Sequence, residues 1–177
     1  MLTANELPNR QERKRNLTGR QLRVKRKLLF FSVHILLPLF FGGLVYVCWR
    51  DPNLLMFKWF RALGLESSIQ SLRLGTASLQ TALPHWLVYS LPDGLWVYAL
   101  TALMILLWRG TGSLPLKMFW LSLGLLLGAG SELAQLAGVL PGAFDKADLL
   151  ICLIAPAVAL VFTSRRIPFN RSLNEAS

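Results

Sequence analysis

The residues of this chain that could do chemistry are carboxylates standing in otherwise apolar surroundings. Glu132 and Gln135 lie three residues apart inside the apolar run 115–138, with Ser131 beside them. Asp93, Asp145 and Asp148 stand at the openings of two further apolar runs. Paired carboxylates can carry general acid–base work or hold a cation. Three of the acids also have an ordinary explanation. Ser90-Leu91-Pro92-Asp93 resembles a capping arrangement, with proline and an acid in the first turn. Asp145-Lys146-Ala147-Asp148 reads as an N-cap followed by a first-turn acid. Glu132 has no helix start to hold it. It precedes Gly138 by six residues, which is about 9 Å along a helix axis at about 1.5 Å per residue. A charge at that depth costs a few kcal/mol unless it is paired, hydrated or protonated. Two readings stay open for it: a buried glutamate hydrogen-bonded to Gln135 or to backbone, and a functional site.

The spacing says which way that site faces. Gly124, Gly128 and Glu132 follow one another at i, i+4 and i+8, and Gln135 is at i+3 from Glu132. All four share one helix face. A small-x-x-x-small pair lets a neighbouring helix come close, so this face is expected to point into a helix bundle.

The elements that carry these residues are membrane spans. Of 177 residues, 54% are hydrophobic and 16% charged, with a mean hydropathy of +0.47. That composition exposes too much apolar surface for a soluble fold and is far too apolar for intrinsic disorder. The two cysteines rule out a disulfide scaffold or a Cys-rich zinc or iron–sulfur site. A span needs about 20 mostly apolar residues. Four runs qualify, at about 28–49, 91–108, 115–138 and 145–163, and the expected fold is an all-α membrane protein with four transmembrane helices. The first run is too long for a cleaved signal peptide and lacks a small-residue cleavage site, so it reads as a signal anchor. Pro38 is expected to kink it slightly.

Charge sets the orientation. Of the 19 Lys and Arg residues, 14 fall in the tail 1–27, near the loop between the second and third spans (Arg109, Lys117), or in the tail 164–177. The other side holds Arg50, Lys58, Arg61, Arg73 and Lys146. The positive-inside rule then places both termini in the cytoplasm, which an even number of spans requires. All four acids fall in the outer half of the bundle. The six tryptophans lie near span ends or in the outer loop, as an interfacial belt would.

The outer loop 50–90 is long and not uniformly polar. Asp51-Pro52 suggests an N-cap with proline at the first helical position, and Gly64 a stop. A second pattern of Ile69, Leu72 and Leu74 is expected to close at Gly75. Both pieces are expected to be interfacial helix on the outer membrane surface, or a lid over the bundle. His34 reads as a satisfied polar residue inside the first span. His85 lies in the outer loop, within reach of the acids. Cys48 and Cys152 are at different depths and are not expected to pair. The basic tail abuts a span and carries no nucleic-acid-binding motif, so it is read as a topology signal touching anionic lipid, with no nucleic acid expected.

Ser131-Glu132-Leu133-Ala134-Gln135, then Pro141-Gly142, then Asp148-Leu149-Leu150, is similar to the pattern of the VanZ-like family of small bacterial membrane proteins, over roughly residues 92–160. In that family Glu-x-x-Gln ends one span, a short turn follows, and an Asp opens the next. The resemblance implies a multi-pass protein of the bacterial inner membrane, linked in some members to resistance against glycopeptides that target the cell wall.

Three functions fit these residues. The first is an outward-facing acidic pocket in which Asp93, Glu132, Gln135, Asp145 and Asp148 hold a polar head group, a cation or a cell-envelope precursor. The second is a non-catalytic subunit or assembly factor of a larger membrane complex, with Gly124, Gly128 or the outer loop as the partner surface. The third is a membrane enzyme. No His-Glu-x-x-His, Gly-x-Ser-x-Gly or glycine-rich phosphate loop is present, and nothing in the sequence indicates a metal or a cofactor.

Overall fold

The computed structural model describes residues 10–108 and 113–164. Among them every regular element is helical: α1 (Arg10–Phe31), a π-helical turn (Ser32–Leu36), α2 (Leu37–Trp49), α3 (Leu55–Ala62), α4 (Glu66–Gln80), α5 (His85–Tyr89), α6 (Leu91–Trp108), α7 (Leu114–Leu136) and α8 (Lys146–Ser164). Four stretches are long and apolar enough to cross a membrane: Thr18–Trp49, Leu91–Trp108, Leu114–Leu136 and Lys146–Thr163. The cationic residues Arg109, Arg165, Arg166 and Arg171 lie outside the described residues.

The first of these is longer than expected. α1, the π-helical turn and α2 form one continuous helix from Arg10 to Trp49, about 60 Å long against a hydrocarbon core of about 30 Å. Its basic end therefore continues the span as helix. The irregularity sits just before Pro38. Proline has no N–H to give to the His34 carbonyl four residues back. The chain widens there instead, and the Leu37 N–H bonds to the Ser32 carbonyl five residues back. His34 is buried in this turn. Its Nδ1 lies 2.6 Å from the Tyr98 hydroxyl, and its ring packs on Phe30.

α6 is the central element and packs against α2, α7 and α8. Its small residues allow this: Ala99, Thr101 and Ala102 are buried, and Thr101 turns its hydroxyl back to the Val97 carbonyl. A Cβ on Gly94 would overlap Ile151 of α8, and one on Gly42 would lie 2.8 Å from the Trp96 indole nitrogen. On α7, a Cβ at Gly124 would meet Thr101 Oγ1 at 2.7 Å, and one at Gly128 would meet Val97 at 2.7 Å and Cys152 at 3.2 Å. The close approach that this glycine pair permits is thus spent inside the chain. Gly124 and Gly128 are not a free surface for a partner protein, because α6 and α8 already fill it.

Gly64 and Gly138 both stop helices, for one reason. Each has a positive φ, +71° and +70°, which glycine adopts without a Cβ penalty. After α3, the N–H groups of Gly64 and Leu65 bond to the Arg61 and Phe60 carbonyls. After α7, those of Gly138 and Val139 bond to the Gln135 and Ala134 carbonyls. Both are Schellman closures. α7 therefore ends at Leu136, two residues before the expected 138.

Two expectations for the segment between the first two spans are corrected. Asp51 does not cap α3. Its Oδ1 accepts the Asn53 N–H at 2.8 Å, making a tight turn, and the helix begins only at Leu55. Nor does Gly75 end a helix: α4 runs through it to Gln80. The helix is held from outside, since Arg73 Nη1 donates to the Val47 carbonyl at 2.9 Å and Trp49 Nε1 to the Thr76 carbonyl at 3.0 Å. Tertiary hydrogen bonds on both sides of Gly75 outweigh its propensity cost of about 1 kcal/mol.

Candidate functional site

The ends of four helices meet around one cavity of about 550 Å³. Alternation of direction brings them together, with α2 and α7 ending where α6 and α8 begin. Asp93, Glu132, Gln135 and Asp148 all line it, together with Ser131, Tyr46, Arg50 and Trp96, and Val97 and Cys152 form part of its wall.

Each acid is held differently. Asp93 is in the first turn of α6, yet its carboxylate turns sideways to Arg50, 3.4 Å from Nη2. Glu132 is only 7% exposed. Its Oε2 accepts the Asp145 N–H at 3.2 Å, so a side chain from α7 satisfies the backbone at the start of α8. Asp145 is not at the cavity. Its Oδ1 accepts the Ala147 N–H at 2.8 Å and caps α8. Expected among the ligand-holding residues, Asp145 is a helix cap because its side chain folds back on its own first turn. Asp148 stands at the position from which an acid commonly returns to the N-cap N–H. Glu132 has already taken that N–H, and Asp148 Oδ1 makes no hydrogen bond among the described residues. Gln135 is pinned by the turn: a Cβ on Gly142, at φ +140°, would lie 2.8 Å from its amide carbon.

Arg50 lines the cavity as well, although the sequence pattern did not single it out. It follows α2 directly and sits over the rings of Tyr46 and Tyr89, at 4.7 and 5.2 Å from the centroids. Nη2 also donates to the Tyr46 hydroxyl at 3.2 Å. Tyr46 in turn stacks on Trp96 at 5.6 Å. A signal for this role existed. A cation directly after a span, on the side where cations are few, with an acid opening the next span, is a candidate pair. His85 is drawn away from the cavity and stacks on Tyr89 at 4.1 Å.

The cavity thus holds one guanidinium and three carboxylates, and the carboxylates of Glu132 and Asp148 have no cationic side chain within 4 Å among the described residues. Burying carboxylates without a counter-charge is costly, and a cation arriving from outside would relieve it. Among the described residues, no three of the His, Cys, Asp and Glu side chains are disposed to hold a metal ion.

No family model matches this chain, and no curated protein or solved structure matches it either.

Proposed function

We propose that this chain is a multi-pass protein of the bacterial inner membrane, with both termini in the cytoplasm, whose outward-facing cavity receives the cationic part of a polar head group or cell-envelope precursor. The similarity to VanZ-like proteins in the Glu-x-x-Gln and Asp motifs supports the envelope setting. The observation that carries the reading is Glu132. It is buried, on the inward face of α7, with one backbone donor and, among the described residues, no cationic side chain within 4 Å, in a cavity it shares with Asp148 and Gln135. A residue that only filled a polar slot would not need its charge.

The test is Glu132→Gln, which keeps the shape and can still accept the Asp145 N–H. Removing the charge also removes its desolvation cost, so abundance in the membrane should hold. Complementation of a deletion strain should nevertheless fail. Full function at normal abundance would overturn the reading. The subunit or assembly role would then lead, and the outer segment would be its surface, since Leu55, Trp59, Leu63 and Leu74 of that segment are all more than half exposed.

A further inference from the structure

Resting on the cation-binding reading of the cavity, we infer that its ligand is a zwitterion: a primary ammonium and a phosphate on one short linker, as in an ethanolamine phosphate head group. Three features of the lining carry this. The first is that charge of both signs is underused. Among the described residues Arg50 engages only Nη2, with long bonds of 3.2 and 3.4 Å to Tyr46 and Asp93, and its Nε has no partner. Opposite in sign, Glu132 and Asp148 have no cationic partner among the described residues. A bare cation would satisfy the acids and leave the guanidinium as it is. A phosphate ester would engage the planar fork of Arg50, which matches its oxygens in pairs.

Second, the two tyrosine rings beside Arg50 are already taken. Tyr46 is covered by Arg50 on one contact and Trp96 on another, and Tyr89 is shared between Arg50 and His85. A quaternary ammonium is held by a cage of several open aromatic faces, and Trp96, 43% exposed, is left as a single one. A primary ammonium needs hydrogen-bond acceptors instead, and three donors match the carboxylates and the Gln135 and Ser131 oxygens of the wall.

The third feature is depth. Arg50 is the first residue after α2, Asp93 and Asp148 each stand third in their helices, and Gln135 is next to last in α7. Head groups lie at that level of a spanning bundle, and acyl chains would run on along the lipid-facing sides of the same helices.

Native mass spectrometry of the full chain in detergent would read this directly, with short-chain phosphatidylethanolamine, phosphatidylcholine and phosphatidylglycerol added in turn. The ethanolamine lipid should be retained about tenfold better than either of the others, the equivalent of one lost charge-assisted hydrogen bond. Equal retention of the choline lipid would remove the primary ammonium, and equal retention of the glycerol lipid would remove the cation altogether. A simple alkylammonium is the second arm. If it binds as tightly as the ethanolamine lipid, and Arg50→Gln changes neither, the zwitterion fails while the cation-binding cavity stands. If neither it nor the ethanolamine lipid binds, both readings fail. Free glycerophosphoethanolamine separates the sources: displacement of the lipid at comparable concentration points to a soluble ligand, and its failure to compete points to a lipid. The wild-type panel stands whether or not the Arg50 variant folds.

Discussion

Replacing Gly128 with alanine tests how α7 is positioned at the cavity wall, and Gly130 on the same helix provides the control. Both substitutions gain the same backbone term, since alanine is favoured over glycine inside a helix by about 0.5–1 kcal/mol. They differ in what the new methyl meets. At Gly130 nothing lies within 4 Å. At Gly128 the Val97 methyl would be 2.7 Å away and the Cys152 Cβ and Sγ 3.2 Å away. Val97 and Cys152 are themselves buried, and Ala155 packs with them, so neither can move aside freely. Overpacking of this kind costs about 1–3 kcal/mol. The helix-propensity gain cancels in the comparison, leaving Gly128→Ala about 1–3 kcal/mol less stable than Gly130→Ala. At about 2–4 °C per kcal/mol for a chain of this size, the midpoints should differ by roughly 2–12 °C. Thermal unfolding of the two purified variants in one detergent is the assay. Equal midpoints, or a Gly128 variant more stable than the wild type, would refute the close packing of α7 on α6 and α8.

Other outcomes follow from the same geometry. Asp145→Ala should cost about 1 kcal/mol through the lost α8 cap and leave amine binding nearly intact, whereas Asp148→Asn should leave the unfolding midpoint near wild type and weaken amine binding. The opposite division, measured by unfolding and binding on both variants, would undo the assignment of cap and ligand. Tyr98→Phe removes the hydroxyl 2.6 Å from buried His34 and should destabilise by about 1–3 kcal/mol, read by the same unfolding assay; an unchanged midpoint would mean that His34 does not depend on it. A reporter fused after Ser177 should be active only in its cytoplasmic form, and activity of a periplasm-dependent reporter there would reverse the orientation.

The spans were legible because hydropathy is a local property: a helix that must face lipid advertises it along its own length, and four did. The stop at Gly64 was legible for a similar reason, since a left-handed residue closes a helix through bonds within six residues. The glycine and glutamate face of α7 was visible too, because one helix period fixes which residues share a side. Partnership was not legible. Asp145 could be read as a cap from its own first turn, but only the arrival of Glu132 from α7 at the Asp145 N–H leaves Asp148 facing the cavity. Arg50 counted in the sequence as one outer cation among five, while its role depends on Asp93, 43 residues away, and on two aromatic rings from α2 and α5. Gly75 looked like a stop until α2 supplied hydrogen bonds on either side of it. Sequence patterning by itself determined which segments must be helical and apolar, because that cost is met residue by residue. Which polar groups meet was decided only by the packing of α6 against its three neighbours, since a side chain's partner depends on what another helix brings within about 3 Å.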